Sequence, residues 1–420
     1  LKEHSTHIIK KKNIFIVGSV WPEPQSSAAG WRMMQLINVF KNEGYGIFFA
    51  SAASDSLNSI DFEKESIVKI NIELNNSSFD KIVKEINPTI VMFDRYITEE
   101  QYGWRVTEKC PQALKILDTE DLHFLRKARE HAVKNSSELN LYTDVAKREI
   151  ASILRCDVSL IISEYEVKLL NNSFNISADL LHYLPFLENE IDNKIIELLP
   201  KYSERKNFIS IGNFLHNPNK DSIEFLKNEI WPLIRKKLPD AELHVFGAYA
   251  MESILAMNNK NEGFIIKSKA DDANFEMQNA RVCLAPLRFG AGLKGKLITA
   301  MQNGTPNVTT SIGAEGMIEN NEWCGFLVNN ATEIANAAIE LYNNENTWCS
   351  AQKRGFAIIN KKFNKEKYLP NFISKINYCL ANLEETRRRN FLGAILNYQS
   401  MQSTKYMAKW IEEKNKKHIN

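Results

Sequence analysis

Nothing in the chain is apolar over a long enough run to cross a bilayer, which takes about 20 consecutive residues. Nor is there a surplus of charge. The 53 Lys and Arg face 51 Asp and Glu, and a net charge of +2 is too balanced for a protein whose main task is to neutralise a phosphate backbone, so nucleic acid is not favoured as a partner. The six cysteines (Cys110, Cys156, Cys283, Cys324, Cys349, Cys379) form no CxxC pair and have no His at metal-ligand spacing. That speaks against a metal module and for buried thiols in a reducing compartment. Internal repeats and low-complexity tracts are absent as well. The polar, basic start from Leu1 to Lys12 lacks the apolar stretch of a secretion signal, so a cytoplasmic location is expected. The first residue is Leu rather than Met, which leaves a preceding segment open.

What is present is an ordinary globular composition, 44% hydrophobic and 25% charged, over 420 residues. One core seldom serves that length, so two domains of roughly 150 to 200 residues each are expected. Short β-branched apolar runs alternate with stretches of helical spacing. In the first half the runs are Asn13–Val20 (NIFIVGSV), Gly46–Ala50, Ile90–Phe93, Ala113–Leu117 and Val158–Ile162, with a helix from about Gly30 to Lys41 between the first two. That βαβ order predicts a doubly wound parallel sheet. Pro185–Arg205 shows no strand pattern and reads as a linker. The rhythm then restarts with Phe208–Ile211, a helix over Asp221–Leu238, Glu242–Phe246, Gly263–Ile266, Val282–Pro286, a helix from Gly295 to Asn303, and Asn307–Thr310. From Ala331 to the end the pattern is helical, with Pro370 marking one break. The expected architecture is α/β: two doubly wound Rossmann-like domains facing a cleft, over 1–195 and 205–370, then C-terminal helices over 371–420. In Asn382–Asn420 eight Lys or Arg face four Glu, which fits a solvated helix surface or peripheral contact with an anionic membrane or a partner.

The densest chemistry lies in Ala285–Met317 (APLRFGAGLKGKLITAMQNGTPNVTTSIGAEGM). Gly290, Gly292 and Gly295 let the backbone reach positive φ and approach a ligand, and the loop leads into a helix N-terminus with Lys294 and Lys296 beside it. Free N–H groups and lysines suit a diphosphate. The same glycines satisfy G-x-G-x-x-G with Glu315 twenty residues on, the spacing of a dinucleotide fingerprint, but Glu315 sits in another Gly loop rather than at a strand tip. A purely structural Gly turn is the third option.

Gly290–Met317 resembles the donor-site segment of glycosyltransferase family 4, the glycosyl transferases group 1 with GT-B fold, in a subgroup patterned G-x-G-x-K-G-K, E-A-M, G-x-P, V-T-T and G-A-E-G. Gly212, Asn213, His216, Pro218 and Asn219 resemble that subgroup's first C-domain strand and loop. The resemblance implies transfer of a sugar from a nucleotide-sugar donor, with retention and without a metal, onto a hydroxyl of a glycan, lipid-linked or protein acceptor. It implies no cofactor, since the nucleotide-sugar is a co-substrate. The donor site would comprise Gly30, Gly212, Asn213, His216, Arg288, Gly290, Gly292, Lys294, Lys296, Thr299 and Glu315.

Two family glutamates spaced E-x7-E are replaced by Ala291 and Thr299. Thr299 can hydrogen-bond a ribose hydroxyl but not as a charged bidentate acceptor. A nucleotide-sugar or glycan-binding module without turnover, and a nucleotide-sugar epimerase on the same fold, therefore stand as alternatives. On the acceptor side, Asp118–Arg129 (DTEDLHFLRKAR) follows a predicted strand end, where open α/β sheets bind ligands. Asp118 and Arg126 are expected to face the acceptor, with Asp121, His123 and Lys294 as catalytic groups. For Asp118, helix capping is the plainer role. Asp94, Arg95, Tyr142 and Arg148 carry the same ambiguity.

Overall fold

A computed structural model describes residues 12–416, so the basic start before Lys12 lies outside the described residues. The N-terminal half holds β1 (Asn13–Gly18), β2 (Gly46–Ser51), β3 (Val68–Asn71), β4 (Ile90–Asp94), β5 (Leu114–Asp118), β6 (Val158–Ile161) and β7 (Leu181–Tyr183). All pair in parallel, in the order β3-β2-β1-β4-β5-β6-β7. The C-terminal half holds β8 (Lys206–Ile211), β9 (Leu243–Phe246), β10 (Phe264–Ile266), β11 (Ala280–Ala285), β12 (Asn307–Thr309) and β13 (Gly325–Leu327), parallel in the order β10-β9-β8-β11-β12-β13. Each sheet reverses direction once, between β1 and β4 and between β8 and β11. These are the switch points at which doubly wound sheets open a crevice beyond their strand ends.

The central strands are apolar on both faces because helices cover both sides: Ile14 through Val17 and Ile90 through Phe93 are fully buried. β3 was not legible in the sequence because it is an edge strand whose side chains face solvent. β7 and β13 are only three residues long. The helix Ala28–Asn42 starts at Ser27, whose hydroxyl accepts from the Gly30 N–H, a cap worth about 1 kcal/mol.

The predicted break at Pro370 is not observed, because the proline lies inside the helix Lys365–Ala381. The missing N–H forfeits one hydrogen bond, while Phe372, Ile376 and Cys379 pack into the N-terminal core and hold the helix together. The breaks fall instead at asparagines: Asn344 and Asn364 cap the helices Glu345–Ile358 and Lys365–Ala381. The chain thus crosses between the halves twice. The crossings touch where Glu188 N donates to Phe363 O at 2.7 Å and Lys365 N to Glu188 O at 2.8 Å.

Candidate active site

A cavity of about 680 Å³ lies where the two switch points face each other. From the C-terminal half, two helix starts point into it. Helices Asn217–Phe225 and Gly295–Gln302 begin at His216 and Lys294, neither of which caps with its side chain, so positive helix ends face the space. A Cβ at Gly212 would fall 2.6 Å from Asn219 Nδ2 and 2.8 Å from Lys296 Nζ, so a larger residue there would displace both side chains. Lys296 Nζ donates to Asn219 Oδ1 at 2.7 Å, and Asn219 Nδ2 to the Asn213 carbonyl at 2.9 Å. Lys294 Nζ folds back on its own loop, donating to the Ala291 and Gly292 carbonyls at 3.0 and 2.7 Å. Burial lowers both lysines to about 8. Thr299 lines the cavity within the helix Gly295–Gln302.

Several predicted donor residues lie elsewhere. Arg288 is held by Asp221, Nε to Oδ2 at 2.9 Å and Nη2 to Oδ1 at 2.5 Å, and lies over the Phe225 ring, so it does not line the cavity. Glu315 accepts both Arg129 Nη1 and Nη2 at 2.8 Å, and Arg129 Nη1 also donates to the Gly290 carbonyl at 2.9 Å. Gly292, at φ +61°, donates its N–H to Glu166 Oε1 at 2.8 Å. Glu315 and the Gly292 amide therefore tie the Gly290–Gly295 loop to the N-terminal half rather than facing the cavity. The neighbouring Glu166 and Arg129 gave no local signal in the sequence; only the fold brings them to the loop.

The N-terminal wall gathers Asp121, His123 and Arg126. Asp121 pairs with Arg126 and lies 3.5 Å from His123 Nε2. Despite the opposing effect of burial, Arg126 and His123 hold the Asp121 carboxyl well below the usual range. Burial pushes His123 down to about 3 and His216 to about 4, so both imidazoles are neutral near pH 7. His123 is positioned by its backbone: Glu149 accepts the His123 and Phe124 N–H groups at 3.1 and 2.8 Å, and Glu166 accepts that of Leu122 at 3.0 Å. Two buried glutamate carboxyl groups, raised by burial to about 8 and about 7, thus occupy the start of the helix His123–Asn135 and take its N–H groups. Across the cleft, a Cβ on Gly292 would meet Asp121 Cβ at 2.8 Å, so the Asp121 cluster and the Gly290–Gly295 loop are in contact.

Asp118 is fully buried beneath the wall, in an ion pair with Arg32 at 3.0 Å, and does not line the cavity. Gly30 does, but Ser27 takes its N–H, and a Cβ there would strike the Glu23 backbone at 2.4 Å. Close packing thus accounts for this glycine. Arg148 pairs with Glu100, and Tyr142 is exposed; neither lines the cavity.

Two more residues stand out: Arg95, already a candidate from the sequence, and Glu120, which was not. Arg95 (φ +73°) and Glu120 (φ +62°) follow β4 and β5, hold backbone angles rare outside glycine, and line the cavity. Arg95 donates to Ser19 Oγ and lies 3.5 Å from Asp94 Oδ2. Glu120 Oε1 is buried with no hydrogen-bond partner among the described residues, and burial, then Asp118 and Asp94, raise its carboxyl well above the usual range. A positive φ at a non-glycine position has no sequence signature.

Two Rossmann-like halves with facing switch points, joined by a double crossing and closed by C-terminal helices, define the GT-B fold. Solved structures share it. Sucrose-phosphate synthase from Thermosynechococcus elongatus superposes with a TM-score of 0.65 at 15% identity, covering 88% of this chain and 100% of that one. Anabaena Alr3699/HepE in complex with UDP and glucose gives 0.63 at 12% identity, covering 87% and 99%. Residues 205–344, which include the Gly290–Gly295 loop, match the family model described as Glycosyl transferases group 1. A curated relative, an uncharacterized 44.6 kDa protein in the cps region of Klebsiella pneumoniae, is 23% identical over 168 residues, 38% of this chain. The match spans only 43% of that relative's length.

Proposed function

We propose that this protein transfers a sugar from a nucleotide-sugar donor to an acceptor hydroxyl. The observation that carries this is the facing of two uncapped helix starts, the buried Lys294 and the half-buried Lys296 across one cavity from Asp121, His123 and Glu120. The donor diphosphate lies against the Gly212 and Gly295 ends, with Lys296 and Lys294 meeting the charge that grows as the sugar bond breaks. The acceptor lies against the N-terminal wall, where Glu120 or the neutral His123 accepts a hydrogen bond from its hydroxyl. Transfer proceeds with retention and without a metal, the lysines and amides supplying the positive charge; a hexose is the expected sugar.

Ala291 and Thr299 at the two glutamate positions favour a second reading, donor binding without turnover. Calorimetric titration with UDP-, GDP-, ADP- and CMP-sugars, with and without Mg2+, followed by an assay of nucleotide release, separates the two. Binding with release supports transfer or hydrolysis, and binding without release supports the binding module. If Lys294→Ala and Lys296→Ala leave donor affinity and turnover unchanged, the phosphate site is wrongly placed.

A further inference from the structure

The helix Phe391–Lys416 is amphipathic in the reverse sense. Apart from the half-buried Ile411, its inner face is mostly small and polar. Gly393 packs so closely that a Cβ would fall 2.1 Å from the Leu154 carbonyl, and Ala408 is buried. Asn397 Nδ2 donates to the Arg155 carbonyl at 3.2 Å, Lys405 pairs with Glu108 at 2.8 Å, and Glu412 accepts from the Ser77 N–H and hydroxyl. The outer face carries Phe391, Leu392, Ile395 and Tyr398, then Tyr406, Met407 and Trp410, all exposed. At about 100° per residue these seven sweep roughly half the circumference, on the side away from Gly393 and Ala408.

A surface helix ordinarily buries its apolar side and solvates its polar one. Here the docked side is polar and the free side apolar, and seven of the 23 exposed large hydrophobic residues among the described residues lie on this one helix. Such a concentration marks a contact surface. Its charge indicates what it meets. The helix Phe391–Lys416 carries four lysines against two glutamates, a net +2. Lys409 and Lys414 have no ion-pair partner among the described residues, and Lys414 Nζ lies 5.4 Å from the Trp410 ring centre. No described helix is long and apolar enough to cross a membrane.

We propose that this face lies in the interfacial layer of an anionic membrane. The tyrosines and tryptophan sit at headgroup depth, the aliphatic side chains reach below them, and Lys409 and Lys414 meet anionic headgroups. A second copy of the same face would set lysines against lysines, so charge favours the lipid. The test is flotation of the full chain with vesicles of phosphatidylcholine alone, and of phosphatidylcholine and phosphatidylglycerol in equal parts, at low and high salt. Binding is expected to the phosphatidylglycerol vesicles and to weaken with salt. Lys409→Glu with Lys414→Glu should lower partitioning about tenfold or more. Tyr406→Ala with Trp410→Ala should lower it several-fold. Both pairs are exposed, and an unchanged melting temperature shows that the fold is intact. Absence of vesicle binding, equal binding to both vesicle types, or variants that float like the parent chain overturns the proposal. So does a dimer in light scattering that Trp410→Ala dissociates while vesicles are ignored.

Discussion

Replacing Lys296 by Met should strengthen the fold and weaken the donor site at once. Lys296 Nζ has one hydrogen bond, to Asn219 Oδ1, and no carboxylate within ion-pair distance among the described residues. Burial lowers it from 10.5 to about 8. That gap corresponds to roughly 3 kcal/mol of folding stability lost at neutral pH by keeping the ammonium buried. Between about 8 and 10.5 the unfolded chain holds the proton and the folded one does not, so stability rises with pH across that window. Methionine fills similar volume without charge and forfeits a hydrogen bond worth about 1 kcal/mol, leaving a net gain of roughly 2 kcal/mol near pH 7. Urea unfolding should show this gain at pH 7 and show it shrinking as pH rises above about 8, where the folded parent chain sheds the Lys296 proton. The same variant should bind its nucleotide donor about 10- to 100-fold more weakly, the range of a lost charge-assisted hydrogen bond. A less stable Lys296→Met chain with undiminished donor affinity would refute the reasoning and make Lys296 a structural residue.

Arg129→Ala removes both ties to Glu315 and one to Gly290; because it strands a largely buried carboxylate, a loss of about 3 kcal/mol is expected in denaturant unfolding. Gly292→Ala combines positive φ with a clash against Asp121 and should cost about 2 kcal/mol or more, measured the same way. Thr299→Glu restores the carboxylate that the resemblance to glycosyltransferase family 4 places at this position and should tighten donor binding about tenfold by calorimetry, whereas weaker binding would show that the ribose lies elsewhere. Glu120→Gln should lower transfer while leaving donor affinity unchanged, and equal loss of both would remove it from the acceptor wall.

The sheet architecture was readable because central parallel strands are buried on both faces and write continuous runs such as NIFIV and IVMF, whereas an edge strand like Val68–Asn71 leaves no such trace. The glycine loop was readable because positive φ and close approach require glycine, which is visible at 290 and 292. Partnership between distant residues was not. Arg288 looks identical in sequence whether it meets a phosphate or Asp221, and Asp118 gives no sign that Arg32 lies beneath the same wall. Glu166 reaches Gly292 only because two sheets face each other, over a separation of 126 residues. Local chemistry therefore named the neighbourhood, while burial and pairing decided which side chains reach the cavity.

A crystal structure with the nucleotide diphosphate of whichever donor binds is the most direct measurement. The diphosphate is expected between the starts of the helices Asn217–Phe225 and Gly295–Gln302, within hydrogen-bond reach of Lys296 Nζ and close to Thr299. A nucleotide seated elsewhere, or phosphates that leave Lys296 and both helix starts untouched, would contradict the assignment of this cavity as a donor site.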